Sequence, residues 1–238
     1  MSVIPPITRL AASWVDNADA WTTAVRSGGI PSRRAGTDEA ILQAIVQAPT
    51  GPLIDVGCGE GWLARAIASQ GREVVGIDAS APLIDAAKGA GSADGPLTGP
   101  FNGPRYEQVS YVKLAARARE LGAPFAVAVC NFALLDDRLS EALGAIRAVL
   151  APSGVLLIQT VHPFTACGDG SYTNGWREET FDAFGGRFPA AMPWYFRTLG
   201  SWITELHDAR FLLESVTEPP SPAGPLPLSL LLAARRTL

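Results

Sequence analysis

The run Asp55-Val56-Gly57-Cys58-Gly59-Glu60-Gly61, with Asp78 roughly twenty residues further on, is the most chemically suggestive stretch of the chain. Glycines admit positive φ and let a backbone come close to a ligand. A carboxylate two residues ahead of the first glycine can attract an ammonium group, and an acid at the tip of the following strand can accept hydrogen bonds from two ribose hydroxyls. A nicotinamide-binding turn of the G-x-G-x-x-G type would want glycine where this chain carries Trp62. There are two histidines. His162, next to Pro163, is the candidate general base or acceptor-positioning residue, whereas His207 reads as a surface residue. From His162 to Gly200 the chain is dense in aromatics and arginines. Trp176, Trp194 and Tyr195 could wall a flat acceptor, and Arg177 or Arg197 could pair with its carboxylate. The same residues could equally pack that segment down and pair with Glu178, Glu179 or Asp182.

These groups need a scaffold, and hydropathy supplies its outline. Trp14, Ala18, Trp21 and Val25 share one helical stripe. Ser32-Arg33-Arg34 follows as a turn, and a second helix runs from an N-cap at Asp38 to Ala48, where Pro49 stops it. Short apolar runs then alternate with helices. Strands are expected at 53–56, 73–77, 105–109, 125–130 and 155–161, and helices at 62–70, 80–88, 112–121 and 139–150. Strands apolar on both faces, separated by helices, mean a parallel sheet covered on both sides. A helix at 201–208 precedes two strands, 211–216 and 226–234, which have no helix between them and should pair antiparallel. Residues 89–104, rich in glycine and proline, read as a surface loop.

Composition narrows the function classes. The 238 residues are 47% apolar and 18% charged, with a net charge of −4. Such a chain can bury a full core and lacks the basic surplus of a nucleic-acid-binding surface. Its 24 glycines and 19 prolines are about 18% of the chain against roughly 12% in average usage, the mark of many short elements and long loops. Cys58, Cys130 and Cys167 are odd in number and lack metal-ligand spacing, so neither a disulfide framework nor a metal site is expected, and a reducing, cytoplasmic setting is the default. No stretch reads as a signal peptide or a membrane span.

Residues 53–61 together with Val75-Gly76-Ile77-Asp78-Ala79-Ser80 resemble motif I and its successor in class I S-adenosylmethionine-dependent methyltransferases, and the resemblance extends to about residue 161. It implies an α/β, doubly wound, Rossmann-like sheet of seven strands in the order 3-2-1-4-5-7-6, strand seven antiparallel. Residues 1–238 would form one domain: an N-terminal helical cover (1–50), a cofactor-binding core (51–161), a substrate lid (162–200) and a C-terminal helix with two strands (201–238). It further implies S-adenosylmethionine as cofactor and S-adenosylhomocysteine as product. Asp55, Gly57, Cys58 and Gly59 would line the methionine part, Asp78 would hold the ribose, and Ala79 would lie beside the adenine. Ser110 and Tyr111 would meet the adenine amino group, Asn131 and Phe132 would form the floor beneath the sulfonium, and Arg33 or, as we place it, Arg34 would pair with the cofactor carboxylate. After strand four the chain reads Asn131-Phe132-Ala133-Leu134 rather than the Asn-Pro-Pro-Tyr type of enzymes that methylate amino groups of adenine or glutamine. With the acidic charge, this points to a small-molecule partner, no nucleic acid, no membrane, and a monomer or homodimer. The alternatives are other chemistry on the same fold and cofactor, a non-catalytic cofactor-binding regulator, or a nicotinamide oxidoreductase.

Overall fold

The computed structural model describes residues 4–90, 103–184 and 188–237, so most of the expected loop at 89–104 lies outside the described residues. Helix α1 (Pro6–Asp16) starts on a proline whose fixed φ suits a first turn. It ends at Asn17, and α2 (Ala18–Arg26) follows. The expected single stripe through Trp14, Ala18, Trp21 and Val25 is therefore broken. Asn17 leaves helical geometry and exchanges two hydrogen bonds with the backbone of Ala190, at 2.7 and 3.0 Å. The expected turn at residues 32–34 is a π-helical turn, Arg33–Thr37, leading into α3 (Asp38–Gln47). Asp38 is helical rather than an N-cap, and its carboxylate accepts from Arg33 Nε at 2.8 and 3.0 Å.

The alternating core follows: β1 (Leu53–Val56), α4 (Trp62–Ala68), β2 (Val74–Asp78), α5 (Ala81–Ala90) and β3 (Arg105–Gln108). The helix expected at 112–121 is in three pieces, α6 (Tyr111–Leu114), a 3-10 turn (Ala115–Arg117) and α7 (Ala118–Leu121). Then come β4 (Phe125–Asn131), α8 (Leu139–Val149) and β5 (Leu150–Val161). Strand β5 begins earlier than expected, because Leu150 already pairs with Phe125 before the register shifts and Val155 pairs with Val127.

Past β5 the chain forms α9 (Pro163–Cys167) and a hairpin of β6 (Gly175–Glu179) and β7 (Met192–Phe196), in register Trp176 to Tyr195 and Arg177 to Trp194. Helix α10 (Leu199–Asp208) and strands β8 (Phe211–Thr217) and β9 (Ser229–Arg236) complete the chain. The main sheet has the order β3-β2-β1-β4-β5-β9-β8. Strands β1 to β5 are parallel, and β9 runs antiparallel to both β5 and β8. With the hairpin strands set apart, this is the expected order 3-2-1-4-5-7-6.

Both faces of this sheet are buried. Ile54, Val56, Val75, Ala128 and Ile158 face one apolar layer under α8 and α10, while Leu53, Val74, Val127, Val129 and Leu157 face the other, under α3 and α4. Side chains alternate between faces along a strand, so a strand covered on both sides is mostly apolar, with polar residues such as Asp55 and Gln159 near the carboxyl ends. A third cluster joins Leu10, Trp14 and Trp21 of the N-terminal helices to Phe181, Phe184, Phe188 and Met192. It lies over the carboxyl ends of the strands, the edge where open α/β sheets bind ligands. None of the described helices is long and apolar enough to cross a membrane.

Candidate active site

A cavity of about 410 Å³ opens above the carboxyl ends of β1, β2 and β4. Its wall includes Gly57, Cys58, Gly59, Asp78, Ala79, Ser110, Tyr111, Asn131 and Phe132, nine of the residues singled out from sequence. Gly57 (φ 77°) and Gly59 (φ 56°) sit in left-handed geometry that side chains rarely adopt. A Cβ on Gly57 would collide with that of Ala133, which fixes how closely the first turn lies against the loop after β4.

The hydrogen bonds of this turn have a consistent direction. Gly57 N and Cys58 N both donate to Ile77 O, at 2.8 and 2.9 Å, and Gly59 N donates to Asp78 Oδ2 at 3.0 Å. Gly61 N donates to Cys58 O at 3.0 Å. These four N–H groups are thus used within the fold, and three acids, Asp55, Glu60 and Asp78, stand around the turn. Glu60 is buried and paired with Arg26 of α2 at 2.9 Å and Arg65 of α4 at 2.8 Å, tying the N-terminal helices to the turn. Asp78 also accepts from Ser80 N at 2.8 Å. Burial pushes its carboxyl up, against the pull of the N–H groups that it accepts.

Asp55 is 1% exposed and lies behind the turn rather than on the cavity wall, with Oδ2 lacking any hydrogen-bond partner. Burial first, and the Asp78 charge second, raise its pKa to about 7. Burial likewise pushes the Cys58 thiol well up, which suits a packing residue and not a nucleophile. Tyr111 donates its hydroxyl to Ala133 O at 2.8 Å, and Ser110 precedes α6. Asn131 ends β4 with Oδ1 buried and unpartnered, and Phe132 takes a positive φ of 54° while its N–H donates to Gln159 O at 2.7 Å. That strained peptide turns the chain away from the sheet at the cavity floor.

Several expected residues stand elsewhere. Arg34 is not on the wall; Arg33 is, with its guanidinium 4.1 Å from the Trp62 ring and paired to Asp38. Trp62, read from sequence only as the missing glycine, is the platform for that cation. His162 is 1% exposed and off the cavity. Its Nδ1 accepts from Phe164 N at 3.2 Å and so caps α9, while Nε2 bonds Glu218 Oε1 at 2.8 Å. With both nitrogens engaged, no lone pair faces the cavity, and the expected base is a structural clasp. Arg177 donates to the carbonyls of Ala166 and Ser171, at 2.7 and 2.8 Å, and lies over Phe196. Trp176 packs edge-on to Tyr195. Neither of these two, nor Arg177, lines the cavity; Trp194 does, and Arg197 borders a smaller adjoining space. Among the described residues no group of three or more His, Cys, Asp and Glu is placed to hold a metal ion.

The wall also holds Asp136 and Arg138 after β4, which were not expected there, and Glu179, Phe181, Phe184 and Met192, which were expected in the lid segment but not as named pocket residues. Asp136 and Arg138 follow the same strand end as Asn131, and that position was the available signal. Trp14 and Trp21, edge-on at 5.2 Å, close the far side.

Comparison with known proteins agrees with this geometry. A family profile described as a methyltransferase domain matches residues 33–215. A ubiquinone biosynthesis O-methyltransferase of Histophilus somni (strain 2336) is 32% identical over 128 residues, 51% of this chain and 51% of that protein. The match thus spans about half the length of that curated relative. Among solved structures, the 1,6-didemethyltoxoflavin-N1-methyltransferase of Burkholderia thailandensis, with 1,6-didemethyltoxoflavin and S-adenosylhomocysteine bound, is 20% identical with a TM-score of 0.68, covering 100% of this chain and 93% of that one. Magnesium protoporphyrin IX methyltransferase from Synechocystis PCC 6803, with bound S-adenosylmethionine, is 16% identical with a TM-score of 0.64 and covers 100% of both chains. Profile, sheet order and glycine turn agree: the chain belongs to the class I methyltransferase-domain family.

Proposed function

We propose that residues 1–238 act as one catalytic domain that transfers a methyl group from S-adenosylmethionine to a small-molecule acceptor by in-line displacement, leaving S-adenosylhomocysteine. The observation that carries this reading is the direction of the hydrogen bonds in the glycine turn. The N–H groups of Gly57, Cys58 and Gly59 are spent on Ile77 O and Asp78, unlike those of an anion nest that cradles a pyrophosphate. An acid-flanked turn whose Gly57, Cys58, Gly59 and Gly61 N–H groups are already engaged suits a cationic ligand.

The residues present fit such a cofactor. The Gly57–Gly59 backbone forms the cradle, and a side chain at Gly57 would collide with Ala133. Asn131 Oδ1 is a buried acceptor lacking a donor. When bound, S-adenosylmethionine supplies an electrophilic methyl group on a sulfonium. Asp78 is placed to accept from the ribose, since its carboxylate has acceptor capacity beyond the backbone N–H groups that it already accepts. Ala79, Ser110 and Tyr111 border the adenine side, and Arg33 is the cation available to the cofactor carboxylate. Asn131 and Phe132 form the floor. Trp14, Trp21, Phe181, Phe184 and Trp194 enclose the acceptor side and exclude water. In a displacement that disperses positive charge, such positioning can contribute roughly 7–11 kcal/mol.

Isothermal titration tests the assignment. S-adenosylmethionine and S-adenosylhomocysteine should bind at micromolar or tighter concentrations, NAD(P) should not, and Asp78→Ala should weaken S-adenosylhomocysteine at least tenfold. Unchanged affinity in that variant, or NAD(P) binding in its place, would overturn the reading.

A further inference from the structure

Arg197 follows directly after β7 and is 3% exposed. Its Nη2 donates to the backbone carbonyl of Asp136, and its guanidinium lies 4.9 Å from the Tyr195 ring and 5.4 Å from that of Trp202. Nη1 is buried and has no acceptor among the described residues. A buried guanidinium N–H without a partner is costly, because arginine stays charged and has lost its water. Arg197 also borders a space of about 10 Å³ with Leu134, Pro163 and Trp202, about the room needed for one water or one ligand atom. Leu135, Thr160, Val161 and Trp194 line both this chamber and the large cavity, so the two share a wall.

The other arginines near the site serve other groups. Arg33 pairs with Asp38 and is assigned to the cofactor side, Arg138 lies 3.5 Å from Glu141, and Arg177 serves two backbone carbonyls. On the acceptor side the wall is aromatic, built from Trp14, Trp21, Phe181, Phe184 and Trp194, with Trp21 edge-on to Trp14, Phe181 and Phe184.

Building on the function proposed above, we infer that Arg197 recognises the methyl acceptor: its Nη1 takes one carbonyl or carboxylate oxygen of a planar aromatic molecule seated in the large cavity. Burial pulls the guanidinium pKa below its ordinary value, against the Glu205, Asp136 and Asp137 carboxylates, and Nη1 can donate to a carbonyl or to a carboxylate oxygen alike. The single-atom size of the chamber selects for one oxygen and against a bulky anion such as phosphate.

Matched probes test this. Protein with and without saturating S-adenosylhomocysteine is titrated with 4-hydroxyacetophenone against 4-ethylphenol, and with 4-hydroxybenzoate against 4-methylphenol. The wild type should bind the oxygen-bearing member of at least one pair about tenfold more tightly, as expected for a hydrogen bond to a charged donor. The pair that shows the preference tells carbonyl from carboxylate. Arg197→Met should abolish the preference and Arg197→Lys should reduce it, with S-adenosylhomocysteine affinity unchanged in both. Equal binding within both pairs, no binding of any probe at millimolar concentration, or a preference that survives Arg197→Met would overturn the assignment and leave the chamber to a water. Should Arg197→Met fail to fold, the wild-type comparison and Arg197→Lys decide on their own. A preference lost in Arg197→Met while S-adenosylhomocysteine fails to bind the wild type would uphold the Arg197 site and overturn only the cofactor assignment.

Discussion

Replacing Gly57 by alanine attacks the site at its tightest point. Two costs are separable there. An L-residue held at φ 77° costs about 1–2 kcal/mol. The added methyl would also meet the Cβ of Ala133 well inside contact distance, and overpacking of that kind costs about 1–3 kcal/mol. Together these give about 2–5 kcal/mol, which for a chain of this length lowers Tm by roughly 4–20 °C. Gly59→Ala is the control. Its φ is 56°, but its nearest neighbour would be Trp21 Nε1 at an ordinary 3.6 Å, so only the conformational cost of about 1–2 kcal/mol applies. Ala133→Gly should cost about 0.5–1 kcal/mol alone yet recover about 1–3 kcal/mol in the Gly57→Ala background by removing the collision. Denaturant unfolding of the four proteins in this cycle, with Gly59→Ala alongside, measures the coupling directly. Equal destabilisation by Gly57→Ala and Gly59→Ala, or a cycle that closes with zero coupling, would refute the claim that close approach to Ala133 is what demands glycine at position 57.

Other outcomes follow from the same structure. Asp55 has a folded pKa of about 7 against 3.8 unfolded, so the native state holds its proton more tightly. Its contribution becomes increasingly unfavourable from about pH 4 to pH 7, by up to about 4 kcal/mol, and Asp55→Asn should therefore gain stability over wild type at pH 8 but not at pH 4, read by urea unfolding. His162→Ala should lower stability by about 0.5–2 kcal/mol through loss of the α9 cap while leaving S-adenosylhomocysteine affinity intact; a selective loss of turnover at unchanged stability would restore it as a base. Arg33→Gln should weaken S-adenosylhomocysteine at least several-fold in titration, whereas Arg34→Gln should leave it within twofold.

Much of the cofactor side was legible before any coordinates. Asp55, the glycines and Asp78 lie close together in the chain, and the strand–turn–helix unit that joins them is local, so nearby positions dictate their geometry. The acceptor side was legible in composition but not in assignment. His162, Arg177 and Tyr195 have the right chemistry, yet each is turned to partners distant in the chain or to its own segment: Glu218, the carbonyls of Ala166 and Ser171, the Trp176 ring. The choice between Arg33 and Arg34 could not be read either, because adjacent residues on a helical turn point to different sides and only packing against Trp62 selects one.

The strand order came from the motif's resemblance to a family; the amino-acid sequence by itself determined the doubly covered parallel sheet and the acid-flanked glycine turn. These rest on hydrophobic periodicity and backbone conformation, which act over a few residues. Only the tertiary structure decided which way the turn's N–H groups point, which arginine reaches the cavity and which buried N–H is left without an acceptor. Those outcomes depend on Ile77, Trp62 and Asp136 arriving from other elements, and a side chain's hydrogen-bond partners are settled by the whole packed assembly.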